Sequence, residues 1–401
     1  MKHIIIIGGG FAGVAAGLHL QKTLKGKEIQ ITLIDKNFYH LFTPSLYEVA
    51  TSEVPLKNIT IPLSVIFPKE IDTLKDEVTT INMIDNTISL KEQQKELRFD
   101  YLIIAIGSEP AYMHIPGLEE HSVGLKSIQD AVAIKNKIVG LCRREDATHK
   151  KMQLVIGGGG FAGTELAAEL LTYKNKLAEQ HHLDRDCMEV TVIQGSNHLL
   201  KELDPHVSKI AEKRVHFPNV HLAFGGHIKK VTKTDVLTDD GKSYPYDLLI
   251  WTGGVTPNRL AQKSNLPVTD HGAIKVNHFL QMEGTENIFA VGDVARFLDP
   301  KTQKPVPNVA QVAEEQGAIA GENIARLIRN KKLKPYPYRH FGYIVPLRGR
   351  FAVAELMFGI HFDGFLGWLL QQLVFLRYLL GILPIHKALK RWNTFEQELK
   401  Q

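Results

Sequence analysis

The sequence predicts an α/β fold, with two doubly wound units of parallel strand and helix and then a helical C-terminal region of different character. Three observations carry this. A strand, a glycine-rich turn and a helix occur together twice, over residues 4–24 and 154–180. Each copy is followed by a turn-punctuated β stretch and a nearly identical closing strand. From residue 338 the chain abandons this alternation for long apolar runs edged with basic residues. At 401 residues there is room for two or three domains, and 44% hydrophobic against 23% charged residues describe a chain with a sizeable core.

The elements follow in order. Residues 4–7 are four isoleucines, as in a strand buried on both faces, and Gly8-Gly9-Gly10-Phe11-Ala12-Gly13 turns the chain into helical spacing over 14–24. A second strand over 30–34 ends in Asp35. Asp85-Asn86 marks a turn in the next β stretch, and residues 100–107 close the unit. The second copy has a strand over 154–156, glycines from Gly157 to Gly163, a helix over 164–180 and a strand over 189–193. Asp239-Asp240-Gly241 is its turn and 247–254 its closing strand. Both closing strands lead to an X-Pro step, Glu109-Pro110 and Thr256-Pro257, where extended backbone lets the chain change domain. A later strand ends in Gly292-Asp293, a helix covers 310–328, and Lys331 to Pro337 breaks the pattern as a linker does. The predicted domains are 1–110 and 258–330 as two parts of one unit, 111–257 as the other, and 331–401 as the C-terminal region.

Chemistry enters with the glycines. Gly8-x-Gly10-x-x-Gly13 and Gly158-x-Gly160-x-x-Gly163 each bring backbone N–H groups toward a pyrophosphate at a helix N-terminus, and the third glycine allows close helix-to-strand packing. These are two Rossmann-like dinucleotide-binding domains. Asp35 stands where a carboxylate can accept hydrogen bonds from ribose hydroxyls. Its counterpart in the second copy is Gln194. A carboxylate there would repel the 2′-phosphate of NADPH and hold the free hydroxyl of NADH, whereas an amide does neither strongly, so both nucleotides remain open. Two such sites on one chain point to one tightly bound redox cofactor and one exchanging nicotinamide, because hydride transfer needs the two rings stacked. The two cysteines, Cys142 and Cys187, stand far apart without a CxxC partner, which argues against a disulfide scaffold or a thiolate zinc site. No metal-ligand spacing stands out among the 18 histidines.

Gly8 to Gly13, the segment 39–51 (YHLFTPSLYEVAT), Trp251-Thr252-Gly253-Gly254 and Gly292-Asp293 together resemble the type II NADH:quinone oxidoreductases, over nearly the whole chain. The resemblance implies a glutathione-reductase-like fold, an FAD cofactor, and non-proton-pumping transfer of two electrons from NADH, or NADPH, through flavin to a membrane quinone. On matching positions it implies that Gly8, Gly10, Phe11, Ala12, Gly13, Asp35 and Lys36 hold the FAD pyrophosphate and adenosine ribose. Gly292 and Asp293 would meet the ribityl or pyrophosphate region, and Gly158, Gly160, Gly163 and Gln194 would hold NAD(P)H. Gly107 and Gly254, at the closing-strand ends, are counted with the cofactor-binding residues. Glu165 matches a family glutamate beside flavin and nicotinamide and is the candidate catalytic residue, although the helix dipole alone also favours an acid there. Glu169, one turn on, is expected to support packing.

The family's quinone-side pattern is AQxAxQxG. Here Gln311 matches and Glu315 replaces the second glutamine, either altering polarity beside a quinone or serving as an ordinary helix-surface residue. Sulfide:quinone reductases share the fold, but their chemistry needs paired cysteines that Cys142 and Cys187 do not supply at matching positions. A soluble NAD(P)H:acceptor flavin reductase and a redox-sensing flavoprotein are the rival readings.

Residues 364–383 hold only Gln371, Gln372 and Arg377 as strongly polar positions and are just long enough to span a bilayer. The arginine near the middle costs about 3 kcal/mol in a span, and the polar residues do not share one helix face. After Pro384, residues Ile385, Ala388, Leu389, Trp392, Phe395 and Leu399 follow helical spacing, with His386, Lys387, Lys390 and Arg391 on the other side. A membrane-anchoring helical region is therefore expected, as a monotopic, peripheral attachment to inner-leaflet lipid on the cytoplasmic face; a span and a buried dimer or domain contact are the alternatives. The expected partners are a membrane quinone, the lipid surface and a second copy in a homodimer. The formal charge of +5 is modest, and no nucleic acid is expected.

Overall fold

The structure, a computed structural model, describes residues 1–69, 71–144 and 150–398. Its first sheet has five parallel strands in the order Ile288–Ala290, Tyr101–Ile104, Lys2–Ile7, Ile29–Asp35 and Asp72–Lys75. The second repeats the plan in the order Ser122–Gly124, Leu248–Trp251, Met152–Gly157, Met188–Gln194 and Val220–Phe224, again all parallel. The outermost strand comes from late in the chain in the first sheet and from before the glycine turn in the second.

Alternation of side chains divides each sheet between two cores. Ile4 and Ile6 face a helical layer, while Ile5 and Ile7 face the antiparallel strands Val78–Asn82, Thr87–Leu90 and Glu96–Arg98. In the second unit Leu154 and Ile156 face helices, and Val155 packs under the strands Ile228–Val231, Asp235–Thr238 and Ser243–Pro245. Burial on both sides is why these parallel strands are continuous apolar runs in the sequence. The turns read at Asp85-Asn86 and Asp239-Asp240-Gly241 sit in these antiparallel layers, where Asn86 and Gly241 take positive φ. At the two X-Pro steps, Ser108–Pro110 pairs antiparallel with Val255–Pro257.

The helix Ala310–Ile328 lies on the first glycine-turn helix, Phe11–Leu24, at backbone contact distance. A Cβ on Gly317 would stand 2.0 Å from the Ala12 carbonyl oxygen, and one on Gly321 would stand 2.9 Å from that of Ala16. His19 and Arg326 then meet Glu322 between the helices, at 2.9 and 2.6 Å.

The C-terminal region is not helical throughout. Gly342–Pro346, Ala352–Leu356 and Ile360–Phe362 form a three-stranded antiparallel sheet before the helices Gly364–Ile382 and Ile385–Glu398. The strands are short and rich in small residues such as Ala352 and Ala354, which hid them beside the long apolar run that follows. The final helix also differs from its sequence reading. Ala388 and Phe395 are buried, Phe395 against the Phe375 ring at 4.8 Å, and the Arg391 guanidinium donates to the backbone carbonyls of Lys57 and Thr60. Phe395 turns inward because the preceding helix supplies it an apolar partner, and Arg391 because the segment 57–60 supplies it carbonyl acceptors. Leu399 lies outside the described residues. Exposed apolar side chains instead gather on the outer face of Gly364–Ile382, at Phe365, Leu366, Leu369, Leu373 and Leu380, and continue through Ile385 and Leu389.

Gly317→Ala should force the helix pair apart and cost on the order of 3 kcal/mol in urea unfolding. Gly140→Ala, in the helix Ile128–Cys142 with open space beside it, should instead stabilise by about 0.5–1 kcal/mol.

Candidate functional site

The two glycine turns are built by the same contacts. Gly8 and Gly158 have φ of +105° and +112°, and a Cβ would stand 2.2 Å from the Ala105 carbonyl oxygen or 2.7 Å from the Gly253 Cα. Gly13 and Gly163 press on their own turns, where a Cβ would lie 1.8 Å from the Gly8 oxygen and 1.9 Å from the Gly158 oxygen. Gly10 and Gly160 face open space. Each is the cap of a helix that begins at a phenylalanine, Phe11 or Phe161, with no side-chain acceptor for its first N–H groups. An open glycine at an uncapped helix N-terminus is a fit for a pyrophosphate.

Asp35 and Gln194 occupy equivalent places. The Gly9 N–H donates to Asp35 Oδ2 at 2.6 Å, and the Gly159 N–H to Gln194 Oε1 at 2.8 Å. Burial raises the Asp35 pKa despite its two backbone bonds and the charge of exposed Lys36. The Gln194 amide nitrogen is directed to Ser196 Oγ at 2.7 Å, which fixes its oxygen toward the turn. Gly107 and Gly254, both with positive φ, accept backbone N–H bonds from Asn258 and Ala111, so each also ties down the crossing between the units.

Asp293 is held across the units. Its Oδ2 accepts from Ser108 Oγ at 2.6 Å and from Lys126 Nζ, of the other unit, at 3.2 Å. The Gly292 N–H donates to Gln316 Oε1 at 2.8 Å, and only a shallow crevice lies beside it between Asp293, Pro307, Asn308 and Val312. A wider cleft of about 730 Å³ lies against residues 110–115 and 255–257 and touches neither glycine turn.

Glu165 is the fifth residue of the helix Phe161–His181, just past a first turn that holds no acid, because the helix begins at Phe161 and not at residue 164; the helix packs on the segment 46–53 of the first unit, where Lys176 meets Glu53 at 2.9 Å and Ser52 Oγ donates to Tyr173 Oη at 3.4 Å. There Glu48, from the short helix Leu46–Ala50, is 5% exposed, and its Oε2 has no protein partner. Burial pushes the Glu48 carboxyl up to about 8, with Glu169 adding repulsion, and Glu169 itself up to about 7. Glu165 is pushed well above the usual carboxylate range by burial and then by Glu48. The seam between the units therefore holds carboxyl groups able to keep and release protons near neutrality. Glu48 was missed by the sequence reading, though a lone acid inside Leu46-Tyr47-Glu48-Val49-Ala50 is a signal for it.

Gln311 and Glu315 meet each other. Gln311 Nε2 donates to Glu315 Oε1 at 3.0 Å, and the Tyr336 hydroxyl to Glu315 Oε2 at 3.0 Å. The neighbouring Glu314 reaches the C-terminal helix, 3.5 Å from Arg377, which lies on its exposed face. Gln372, on the buried face of that helix, leaves Oε1 without a partner.

A family model described as "Pyridine nucleotide-disulphide oxidoreductase" matches residues 2–317. The chain belongs to that family. As a pyridine nucleotide-disulphide oxidoreductase it is 30% identical over 382 residues to a demethylphylloquinone reductase, NdbB, of Synechocystis, covering 93% of this chain and 91% of that one. It is 26% identical to a type II NADH:quinone oxidoreductase of Staphylococcus aureus, over 89% and 90% of the two chains. In fold it matches the NDH2 of Plasmodium falciparum solved with NADH, with a TM-score of 0.86, 19% identity and coverage of 100% and 98%. The sulfide:quinone oxidoreductase of Aquifex aeolicus follows at 0.77, with 22% identity over 95% and 91%. This member's cysteines are both buried, and their segments meet at the strand starts of the second sheet, the end opposite the glycine turn, where the Met152 N–H donates to the Cys187 carbonyl.

The raised carboxyl groups set a pH dependence. The native state binds their protons more tightly than the unfolded chain, so this stabilisation is full below about pH 4.5 and is lost as pH rises through about 7 to 8. Glu48→Gln should flatten that decline, making the variant more stable than wild type at about pH 9 by on the order of 2 kcal/mol in urea unfolding.

Proposed function

We propose that this oxidoreductase is an FAD-dependent type II NADH:quinone oxidoreductase attached to one face of a membrane. The observation that carries the reading is the pair of open glycine turns in one chain with a protonatable carboxyl cluster at the seam between their units. Relatives named for quinone and demethylphylloquinone reduction along almost their whole length support it.

The first turn would bind the FAD pyrophosphate through N–H groups at Phe11, Ala12 and Gly13, with Asp35 on the adenosine ribose. Asp293, with Oδ2 held by Ser108 and Lys126, keeps Oδ1 for a cofactor hydroxyl. When bound, FAD supplies the chemistry, taking a hydride from NADH and giving two electrons to quinone. The second turn would hold NADH, and Gln194, with an oxygen and no charge facing the ribose, tolerates NADPH as well. Quinone reduction by NADH consumes one proton beyond the hydride. Glu165, whose carboxyl burial and then its neighbour Glu48 push well above the usual carboxylate range, is suited to deliver it. Gln311, tied to Glu315, stands at the start of the helix that would border the quinone.

The membrane face would be the apolar outer side of Gly364–Ile382 with Ile385 and Leu389; that helix is long and apolar enough to cross a bilayer by composition, yet it is 39% buried in the protein. A helix packed along one side suits monotopic seating, and it lets Arg377 reach Glu314 instead of lipid. Lys387 and Lys390, exposed at the edge, suit the anionic lipid of the inner leaflet on the cytoplasmic side.

Purified protein should carry flavin absorbance that NADH bleaches and a short-chain quinone restores; a colourless protein would refute the reading. In stopped-flow reduction, Gln194→Glu should lower reactivity with NADPH relative to NADH by about tenfold or more. Glu165→Gln should slow quinone turnover by about a hundredfold with little change in the reduction step. Leu366→Glu with Leu373→Glu should abolish sedimentation with anionic vesicles and leave NADH oxidation by a water-soluble acceptor intact.

A further inference from the structure

The middle of the first glycine turn is pinned from both sides. The Gly9 N–H is taken by Asp35, as described, and the Gly9 carbonyl accepts from His40 Nδ1 at 3.0 Å. His40 is completely buried, and burial lowers its pKa to about 4, so the ring is neutral and carries a single N–H. Because a carbonyl only accepts, that proton sits on Nδ1 and Nε2 must accept in turn. Its donor is the Tyr378 hydroxyl at 2.6 Å. One assignment of protons satisfies every group in the chain from Tyr378 to His40 to Gly9.

Tyr378 belongs to the C-terminal helix Gly364–Ile382, from a different end of the sequence. The outer face of that helix is the exposed apolar surface, and its inner face delivers Tyr378 to the turn. Phe11, within the turn, contacts both rings of the pair, at 5.0 Å from His40 and 5.1 Å from Tyr378. The next residue after Gly9 is Gly10, where the turn is open to a ligand. Withdrawal of the helix would take the Tyr378 hydroxyl away from His40 Nε2 and release the peptide that borders this opening.

We propose that Tyr378 and His40 are positioning residues that couple flavin retention to the seating of the C-terminal apolar helix. The proposal rests on the first glycine turn being the FAD site. It gives the helix a second role besides attachment, in which a seated helix holds the turn in its binding shape and a displaced one loosens it.

The test is the rate of FAD release from full-length protein, followed by recovery of free-flavin fluorescence on dilution, beside NADH affinity at the second turn. Tyr378→Phe keeps the ring packing and deletes the donor; it should release FAD about tenfold faster with NADH affinity unchanged. Phe42→Leu removes a ring 5.6 Å from Tyr378 without touching the hydrogen bonds, and should release FAD near the wild-type rate. Adding Tyr378→Phe to His40→Leu should accelerate release no further, because the relay is already broken. A wild-type rate for Tyr378→Phe, an equal acceleration in Phe42→Leu, or additive effects in the double variant would overturn the relay alone. Wild-type protein that binds no FAD would instead overturn the functional reading on which it rests.

Discussion

The approach of Gly317 to the Ala12 carbonyl is the contact on which the rest of the site hangs. Only two backbones without an intervening side chain can come so close, and the approach fixes both the axial position and the rotation of the helix Ala310–Ile328 over the first glycine turn. Once Gly317 is placed, its neighbours have no choice of direction. Gln316 is aimed at the Gly292 N–H, Glu315 at Tyr336 with Gln311, and Glu314 outward to Arg377. A single steric condition therefore orients the residues that border the first glycine turn, the linker and the apolar C-terminal helix.

The same reasoning explains what was legible in the sequence. Backbone geometry writes itself into residue type, so Gly8, Gly13, Gly158 and Gly163 could be read as turn and packing positions, and the apolar strands between them as doubly covered sheet. The equivalence of Asp35 and Gln194 was legible because it is a matter of register after a strand. Contacts between distant segments were not. Glu315 could be read as a quinone-side residue or a surface one, and it is neither exposed nor free, because Tyr336 from the linker completes its carboxylate. Arg391 read as part of a basic anchor, yet it ends on the carbonyls of Lys57 and Thr60, a pairing that periodicity along one helix cannot encode.

Electrostatics at the seam follow from burial more than from charge pairing. Glu48, Glu165 and Glu169 interact where the helix Phe161–His181 meets the segment 46–53; Lys176, paired with Glu53, and Arg348 act favourably on Glu169 but do not offset its burial. Carboxyl groups whose burial outweighs their cationic neighbours hold protons, which destabilises the fold above neutral pH. Such a cluster is costly as scaffolding, and it lies where the helix that follows the second glycine turn meets the segment 46–53 of the first unit.

The C-terminal region then has a structural task that a surface anchor alone would not need. Its sheet and helices touch the phenylalanine of each glycine motif, Tyr343 against Phe161 at 5.3 Å and Tyr378 against Phe11 at 5.1 Å. Arg214 of the second unit also donates to the Leu347 carbonyl and lies over the Phe351 ring at 4.2 Å, so the region is fastened to both units. A segment held only by lipid could leave the two turns free to separate. One that grips a ring in each turn sets their spacing, and hydride transfer is sensitive to that spacing at the scale of an ångström. The strand that brings Tyr343 to Phe161 and the helix that brings Tyr378 to Phe11 thus serve the same requirement, which is that the two glycine turns stay in register.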